Sequence, residues 1–343
     1  MARPLLSALL GDAEIESLLS DQARLDAMLR VEVALAEASA ETNWITPAAA
    51  GAIVAAISAY RPDWSGLAAG MSTDGVDVPA LLTQLRLLIP EPHHASLHRG
   101  ATSQDIVDTA LILQLTKVLD ILDGRLATLT SRLGQRIDAE GAKPLVAHTR
   151  MQVALPTLWR EKLESWRRPL VRHRQALAAL RPALLVIQLG GPVGDRASFD
   201  GHGDAIAAAA ARRLDIGVAP PWHTARDSIV ALGSLLALIT GSLGKIGADV
   251  ALLAQNEIGA VTLDGGRSSA MPHKSNPVNA EVLVTLARFN AGLAGTLQHA
   301  MVHEYERSGA AWTLEWMVLP QMIVAAGASL RIGVALTEAL RIA

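Results

Sequence analysis

Residues 105–140 read DIVDTALILQLTKVLDILDGRLATLTSRLGQRIDAE. Within them Leu115, Val118, Leu119, Leu122, Leu126, Leu129 and Leu133 recur at i, i+3, i+4 and i+7 spacings, the period of one buried helix face. The spacing predicts a helix from near Asp105 to about Glu140, stopped by Gly141 and Pro144. That length exceeds the ordinary globular helix, and with no heptad seam it predicts a large bundle. Outward from it, Leu25, Met28, Leu29 and Val33 mark an earlier amphipathic helix capped by Ser20 or Asp21. Further helical stretches are expected over 156–180, 226–256 and 277–300, and from Leu319 onward. No segment alternates apolar and polar residues as a half-buried strand would, so an all-α chain without a sheet is expected. Gly, Pro and polar clusters break the helices at 61–75, 90–103, 142–156, 190–203 and 263–277.

Composition agrees. Half of the 343 residues are apolar, yet only two are Phe, two Tyr and seven Trp, so the apolar mass is Ala, Leu, Val and Ile, which favours helix over strand. A formal charge of -3 argues against a nucleic-acid surface. The absence of cysteine excludes a disulfide framework, a Cys-zinc site and thiol catalysis. The start, MARPLLSALLGDAEIES, has no basic region, long apolar run or small-residue cleavage site, and a cytoplasmic protein is expected. Residues 228–244 carry no charge, but the run is short for a membrane span and includes Ser228, Ser234, Thr240 and Ser242, so a buried bundle helix and no membrane partner are expected.

Three of the five breaks concentrate unusual polar chemistry. Residues 267–277 read RSSAMPHKSNP after Asp264-Gly265-Gly266. A glycine-led loop bearing a serine can close over a substrate and exclude water. Lys274 and Asn276 can supply charge and hydrogen-bond donors to a developing oxyanion. The residues alone leave open a polar surface turn feeding a helix at Pro277. Residues 98–109 read HRGATSQDIVDT. Their Thr102-Ser103 pair ahead of a helix can bind an anion, or Ser103 can simply cap the helix. Residues 147–157 read AHTRMQVALPT and residues 303–316 read HEYERSGAAWTLEW. Arg307 in the latter stands between acidic residues and tryptophans, and the resemblance given below makes it a candidate carboxylate clamp, since guanidinium matches carboxylate geometry. A mixed-charge run of this kind is otherwise a solvated face. No HxxH or HExxH spacing supports a metal site, and none is expected.

Together these segments resemble the fumarase/aspartase superfamily, with the carboxymuconate cycloisomerase branch the nearest. The 267–277 stretch is similar to the signature GSSxMPxKxNP at every specified position but the leading Gly, which is Arg267 here. The 98–105 stretch is similar to HxGxTSxD, and GATSQDIVDT looks like the adenylosuccinate lyase and cycloisomerase branch. The 147–157 stretch resembles GRTHxQxAxPxT, but its Gly is Ala147, its Arg is His148 and its site His is Arg150.

The resemblance implies a small N-terminal helical domain over 1–104 and a central bundle domain over 105–343. The central helices of four subunits would form one core, with each site shared between subunits, and the C-terminal domain would be short or absent. It implies Ser268 as catalytic acid/base, with Lys274, Glu281 and Arg150 as its catalytic partners. His98, Thr102, Ser103, Thr149, Gln152, Arg267, Ser269, Met271, Asn276 and Arg307 would then contact a polycarboxylate substrate. The loss of the site His at Arg150 argues against the lyases that use it, because arginine stays protonated, and an Arg150–Glu281 ion pair is expected in its place. His148 as a substitute base is the weaker option, being one residue out of phase. The implied activity is lactonisation of 3-carboxy-cis,cis-muconate in the protocatechuate branch of the β-ketoadipate pathway, without cofactor. The competing readings are a 3-sulfomuconate cycloisomerase, another lyase of the superfamily such as adenylosuccinate lyase, and a catalytically silent helical protein.

Overall fold

The long leucine-rich helix begins two residues before the expected point and ends where expected. A computed structural model describes residues 4–264, 266–271 and 274–343. In it the helices are α1 (Pro4–Leu10), α2 (Ala13–Leu18), α3 (Asp21–Glu41), α4 (Pro47–Ala59), α5 (Trp64–Asp74), α6 (Val78–Arg86), α7 (Ser103–Glu140), α8 (Trp159–Leu184), α9 (Gly203–Leu214), α10 (Asp227–Leu253), α11 (Val278–His299) and α12 (Gly309–Ala339). Thr102 is the N-cap of α7, and its backbone N–H donates to the Asp105 carboxylate at 3.0 Å. Ser20 caps α3, its hydroxyl accepting the Ala23 N–H at 3.2 Å.

The leucine stripe of α7 is fully buried from Leu115 to Leu133. It packs on α8 and α12, while α10 lies along α8, α11 and α12. Small residues allow the closest of these approaches. A Cβ on Gly247 would stand 2.3 Å from the Ala280 oxygen, and one on Gly244 2.5 Å from the Ala287 Cβ. Both α10 and α12 are long and apolar enough to cross a membrane, but most of each is buried within this fold, as in a soluble core helix. One stripe of α10 faces outward, through Ala231, Leu238, Gly241 and Lys245.

A second, smaller core is built on α3, α4 and α6, with α9 packed against α3. The expected division after residue 104 falls at the first turn of α7. Ile106, Val107, Ala110 and Leu113 belong to the smaller core, and later residues of α7 to the bundle. Residues Ile187, Leu189, Phe199 and Ile206, far along the chain, also complete the smaller core.

The expectation of no sheet is corrected. β1 (Pro144–Thr149) and β2 (Gln152–Leu158) form an antiparallel hairpin, and β3 (Val261–Thr262) pairs with β4 (Arg341–Ile342). The hairpin turns at Arg150 and Met151, whose φ values are +50° and +66°, the backbone of a two-residue hairpin turn. Its strands show no alternation because little of either face is covered: Val146, Val153 and Leu155 are exposed, and only Leu145 of the two strands is buried. Pro144 and Pro156 sit on an isolated pair, where a missing ladder hydrogen bond costs least.

Candidate active site

The polar segments occupy three places in the chain. The first surrounds the N-terminus of α7. Thr102 and Ser103 are half-buried at this helix start, where the first backbone N–H groups have no partner within the helix. Asp105, fully buried, anchors them. One carboxylate oxygen accepts the N–H of Gly190 at 2.8 Å and meets His223 Nε2 at 2.8 Å. The other accepts the N–H groups of Gly191 at 2.9 Å and Thr102 at 3.0 Å. A carboxylate with four partners needs no water, and it fastens the 190–194 turn against the Thr102-Ser103 pair.

His98 faces inward rather than towards this surface. Its Nδ1 meets the Glu32 carboxylate at 2.6 Å. Burial disfavours the charged ring, but the charge and hydrogen bond of Glu32 outweigh it and raise the His98 pKa above its ordinary value. A raised folded-state pKa contributes stability that is complete below the unfolded value and is lost as pH rises through the folded one. The depressed His173 and His303, shifted mainly by burial, act in the opposite sense. The difference in unfolding free energy between the wild type and His98→Gln, measured by urea denaturation from pH 5 to 9, should therefore shrink as pH rises above about 6.5. A difference that grows with pH would contradict the pairing.

Beneath Thr102 and Ser103 lies a buried ionic cluster that sequence reasoning missed. Arg226 is wholly buried and binds Asp108 through two hydrogen bonds of 2.6 and 3.2 Å. It binds Glu315 through two more, of 3.0 and 2.6 Å. The indole N–H of Trp312 donates to Asp108 at 3.0 Å, and the Arg226 guanidinium stands 4.7 Å from the Trp222 ring centre. Burial pushes the Glu315 carboxyl up despite Arg226. The two carboxylates hold Arg226 above its ordinary value against its own burial. Arg307, the expected clamp, is tied to this corner. Its Nε donates to Gln104 Oε1 at 3.0 Å and its Nη2 to the Pro192 carbonyl at 3.1 Å.

The second place is the hairpin tip, where Thr149, Arg150 and Gln152 are exposed. A cavity of about 720 Å³ is lined by His148, Arg150, Glu161, Lys162, Asp249 and Gln255, among others. His148 Nδ1 lies 3.2 Å from the Val146 carbonyl, within its own strand.

The third place is the loop from Leu263 to Pro277. Gly265, Pro272 and His273 of the signature lie outside the described residues. The loop is pinched at its base. Asn276 N–H donates to the Gly266 carbonyl at 2.8 Å, Arg267 pairs with Ser275 as an antiparallel bridge, and the Ser275 hydroxyl donates to the Leu263 carbonyl at 3.2 Å. Gly266 has φ +66°, and a Cβ there would stand 1.9 Å from the Asn276 oxygen, so only glycine fits the pinch. Within the loop, Ser268 Oγ accepts the N–H groups of Ala270 at 3.3 Å and Met271 at 3.1 Å. Two backbone donors on one hydroxyl oxygen favour its alkoxide. Arg267, Ser269, Met271 and Lys274 are exposed, Ser268 and Asn276 half-buried, and Glu281 exposed in the first turn of α11.

The fold thus gathers Arg307 with the Thr102-Ser103 segment, and Ser268, Ser269, Met271, Lys274 and Asn276 on one loop. It does not join these places. Within one chain, Thr149, Arg150 and Gln152 make no hydrogen bond or ion pair with Ser268, Lys274, Thr102 or Ser103, and the expected Arg150–Glu281 pair is not formed among the described residues. Among those residues no group of three or more His, Cys, Asp or Glu is placed to hold a metal.

The chain is thus a long-helix bundle with a serine-bearing loop, a Thr-Ser pair at a helix start and an exposed arginine near that start. A family model described as lyase matches residues 13–290. The chain is 38% identical, over 99% of its length and 76% of the relative's, to the 3-carboxy-cis,cis-muconate cycloisomerase of Pseudomonas aeruginosa. It is equally 38% identical to that of Pseudomonas putida, over 100% of this chain and 83% of that one. The crystal structure of 3-carboxy-cis,cis-muconate lactonizing enzyme from Pseudomonas putida superposes with a TM-score of 0.93 at 38% identity, covering 99% of this chain and 77% of that one. The chain belongs to this lyase family, the fumarase/aspartase superfamily, and within it is similar to the cycloisomerases.

Proposed function

We propose that the protein is a 3-carboxy-cis,cis-muconate cycloisomerase, acting in the cytoplasm on this small polycarboxylate and forming 4-carboxymuconolactone. The substrate assignment rests on the 38% identity to two cycloisomerases across essentially the whole chain. The single structural observation that carries the mechanism is the Ser268 hydroxyl under two backbone N–H groups on a closed loop.

In the proposed reaction, one carboxylate oxygen adds to the conjugated double bond and a C–O bond forms. The π electrons move onto the far α-carbon and its carboxylate, giving an aci-carboxylate. Lys274, Asn276, Thr102, Ser103 and Thr149 stabilise the added charge. Ser268 then gives its proton to the α-carbon, and the resulting alkoxide, held by the Ala270 and Met271 N–H groups, regains a proton from solvent. In reverse, the alkoxide removes the same proton. Nothing else is released or consumed, so the step is an isomerisation with uptake of one proton and needs no redox cofactor.

The proposal includes a homotetramer with shared sites, in which the hairpin residues Thr149, Arg150 and Gln152 of one subunit meet the Ser268 loop of another. The separation of these segments within one chain supports this, as do the exposed Ala231, Leu238 and Gly241 on the outward stripe of α10. Arg150 would there meet Glu281 and orient substrate, and Arg267, Ser269, Met271 and Arg307 complete its surroundings, while His98, turned inward onto Glu32, stays outside them.

Mixing purified protein with 3-carboxy-cis,cis-muconate should abolish the conjugated-diene absorbance and yield the lactone. No loss of absorbance from a folded tetramer would sink the assignment and direct the search to 3-sulfomuconate, where Arg267 would face the sulfonate, and then to fumarate-releasing substrates. Gly266→Ala should lower kcat/KM by at least about tenfold, because a side chain at positive φ and in contact with Asn276 opens the base of the loop. Its melting temperature should stay close to the wild type, since the described residues from Gly266 to Pro277 belong to neither core. Unchanged steady-state kinetics would show that the pinch has no part in the reaction.

A further inference from the structure

Gln104 stands in the Thr-Ser-Gln-Asp stretch at the second residue of α7 and is wholly buried. Its amide is fully engaged. Nε2 donates to Asp108 Oδ2 at 3.0 Å and to the His223 carbonyl at 2.9 Å, while Oε1 accepts from Arg307 Nε at 3.0 Å. The orientation of the amide has one solution. The His223 carbonyl can only accept, and the Asp108 oxygen beside it is already turned to the Arg226 guanidinium as an acceptor. The NH2 end must face them, so the oxygen must face Arg307. The buried ion cluster therefore sets the direction of an exposed guanidinium through one side chain.

Arg307 is held on its Nε edge by Gln104 and through Nη2 by Pro192. The donors of Nη1 and the second N–H of Nη2 have no partner among the described residues, and they remain for a ligand. The guanidinium stands at the N-terminal end of α7, where Thr102 and Ser103 lead into Gln104. We propose that Gln104 is a positioning residue that locks the guanidinium plane of Arg307 for bidentate capture of a substrate carboxylate beside the Thr102-Ser103 pair. This rests on the reading of the protein as a cycloisomerase with Arg307 in its site. A neutral amide suits the task, since it fixes the plane of the guanidinium without neutralising the charge that attracts the carboxylate.

The test is a double-mutant cycle on the full-length protein with 3-carboxy-cis,cis-muconate, measuring kcat and KM separately. Gln104→Met keeps the volume and removes the hydrogen bonds. It should raise KM about tenfold, the scale of one charge-assisted hydrogen bond, with kcat within about threefold. Arg307→Ala should raise KM by more than this. In the Arg307→Ala background, Gln104→Met should add less than about twofold, although any loss of fold stability persists there. Equal effects of Gln104→Met in both backgrounds would assign Gln104 to stability alone and overturn the proposal. If Gln104→Met does not fold, the exposed partner decides. Arg307→Lys keeps the charge but has no Nε–H for Gln104, and a KM near that of Arg307→Ala is expected, whereas a wild-type KM overturns the proposal. An active wild type whose KM is indifferent to Arg307→Ala would instead remove Arg307 from the site, and an inactive wild type would remove the substrate assignment.

Discussion

Ser268→Ala should reduce kcat by about a thousandfold, within the range for loss of a positioned acid/base, while KM stays within about threefold. A serine is a weak base because its alkoxide is unstable in water. Here the oxygen receives two backbone N–H groups, from Ala270 and Met271. Those donors belong to the backbone and survive the substitution, so binding of substrate should survive it too. The measurement is steady-state turnover of 3-carboxy-cis,cis-muconate, with ligand affinity measured independently by calorimetry on the inactive variant. The same variant should fail to exchange the α-proton of the lactone with deuterium, because reversal needs the same oxygen. A variant that turns over at the wild-type rate would place the proton transfer on another residue, with His148 the first to be tested.

The second large effect is on stability. Arg226→Met should cost about 3–5 kcal/mol, the range for removing one partner from a buried ion pair. Arg226 is wholly buried between Asp108 and Glu315, and its removal leaves two carboxylates with no counter-charge in the core. Both would then resist ionisation. Burial already pushes Glu315 up with Arg226 in place. Carboxyls with raised folded-state pKa values contribute stability below their unfolded values and lose it as pH rises. The deficit of Arg226→Met should therefore be larger at pH 8 than at pH 5, which denaturant melts at the two values will measure. Arg226→Lys should rescue little, because one ammonium cannot form two bidentate contacts. A deficit that is small and independent of pH would mean that the cluster relaxes or hydrates when the cation is lost.

The stripe from Leu115 to Leu133 and the capped start of α3 were legible because their information is local: the helical period and the capping side chains lie within a few residues of each other. The 267–277 stretch stood out as a polar loop for the same reason, since its residues are contiguous, although they alone left open a surface turn. The hairpin was not legible, because strand periodicity records a covered face and this hairpin buries only Leu145. Its exposed Val153 and Leu155 look like a loop in sequence and become strands only through pairing with Pro144 to Thr149.

The Arg226 cluster illustrates the rest. Arg226 is 118 residues from Asp108 and 89 from Glu315, and no periodicity links charges so far apart. The sequence by itself determined a predominantly helical lyase with its polar segments at loops and helix starts. Only the tertiary structure decided that Asp105 ties the 190–194 turn to Thr102, that Gln104 faces Arg307, and that the hairpin and the Ser268 loop stand apart in one chain. The physical reason is that helical period and capping act over one or two turns, whereas the partner of a buried charge is chosen by which helices pack together.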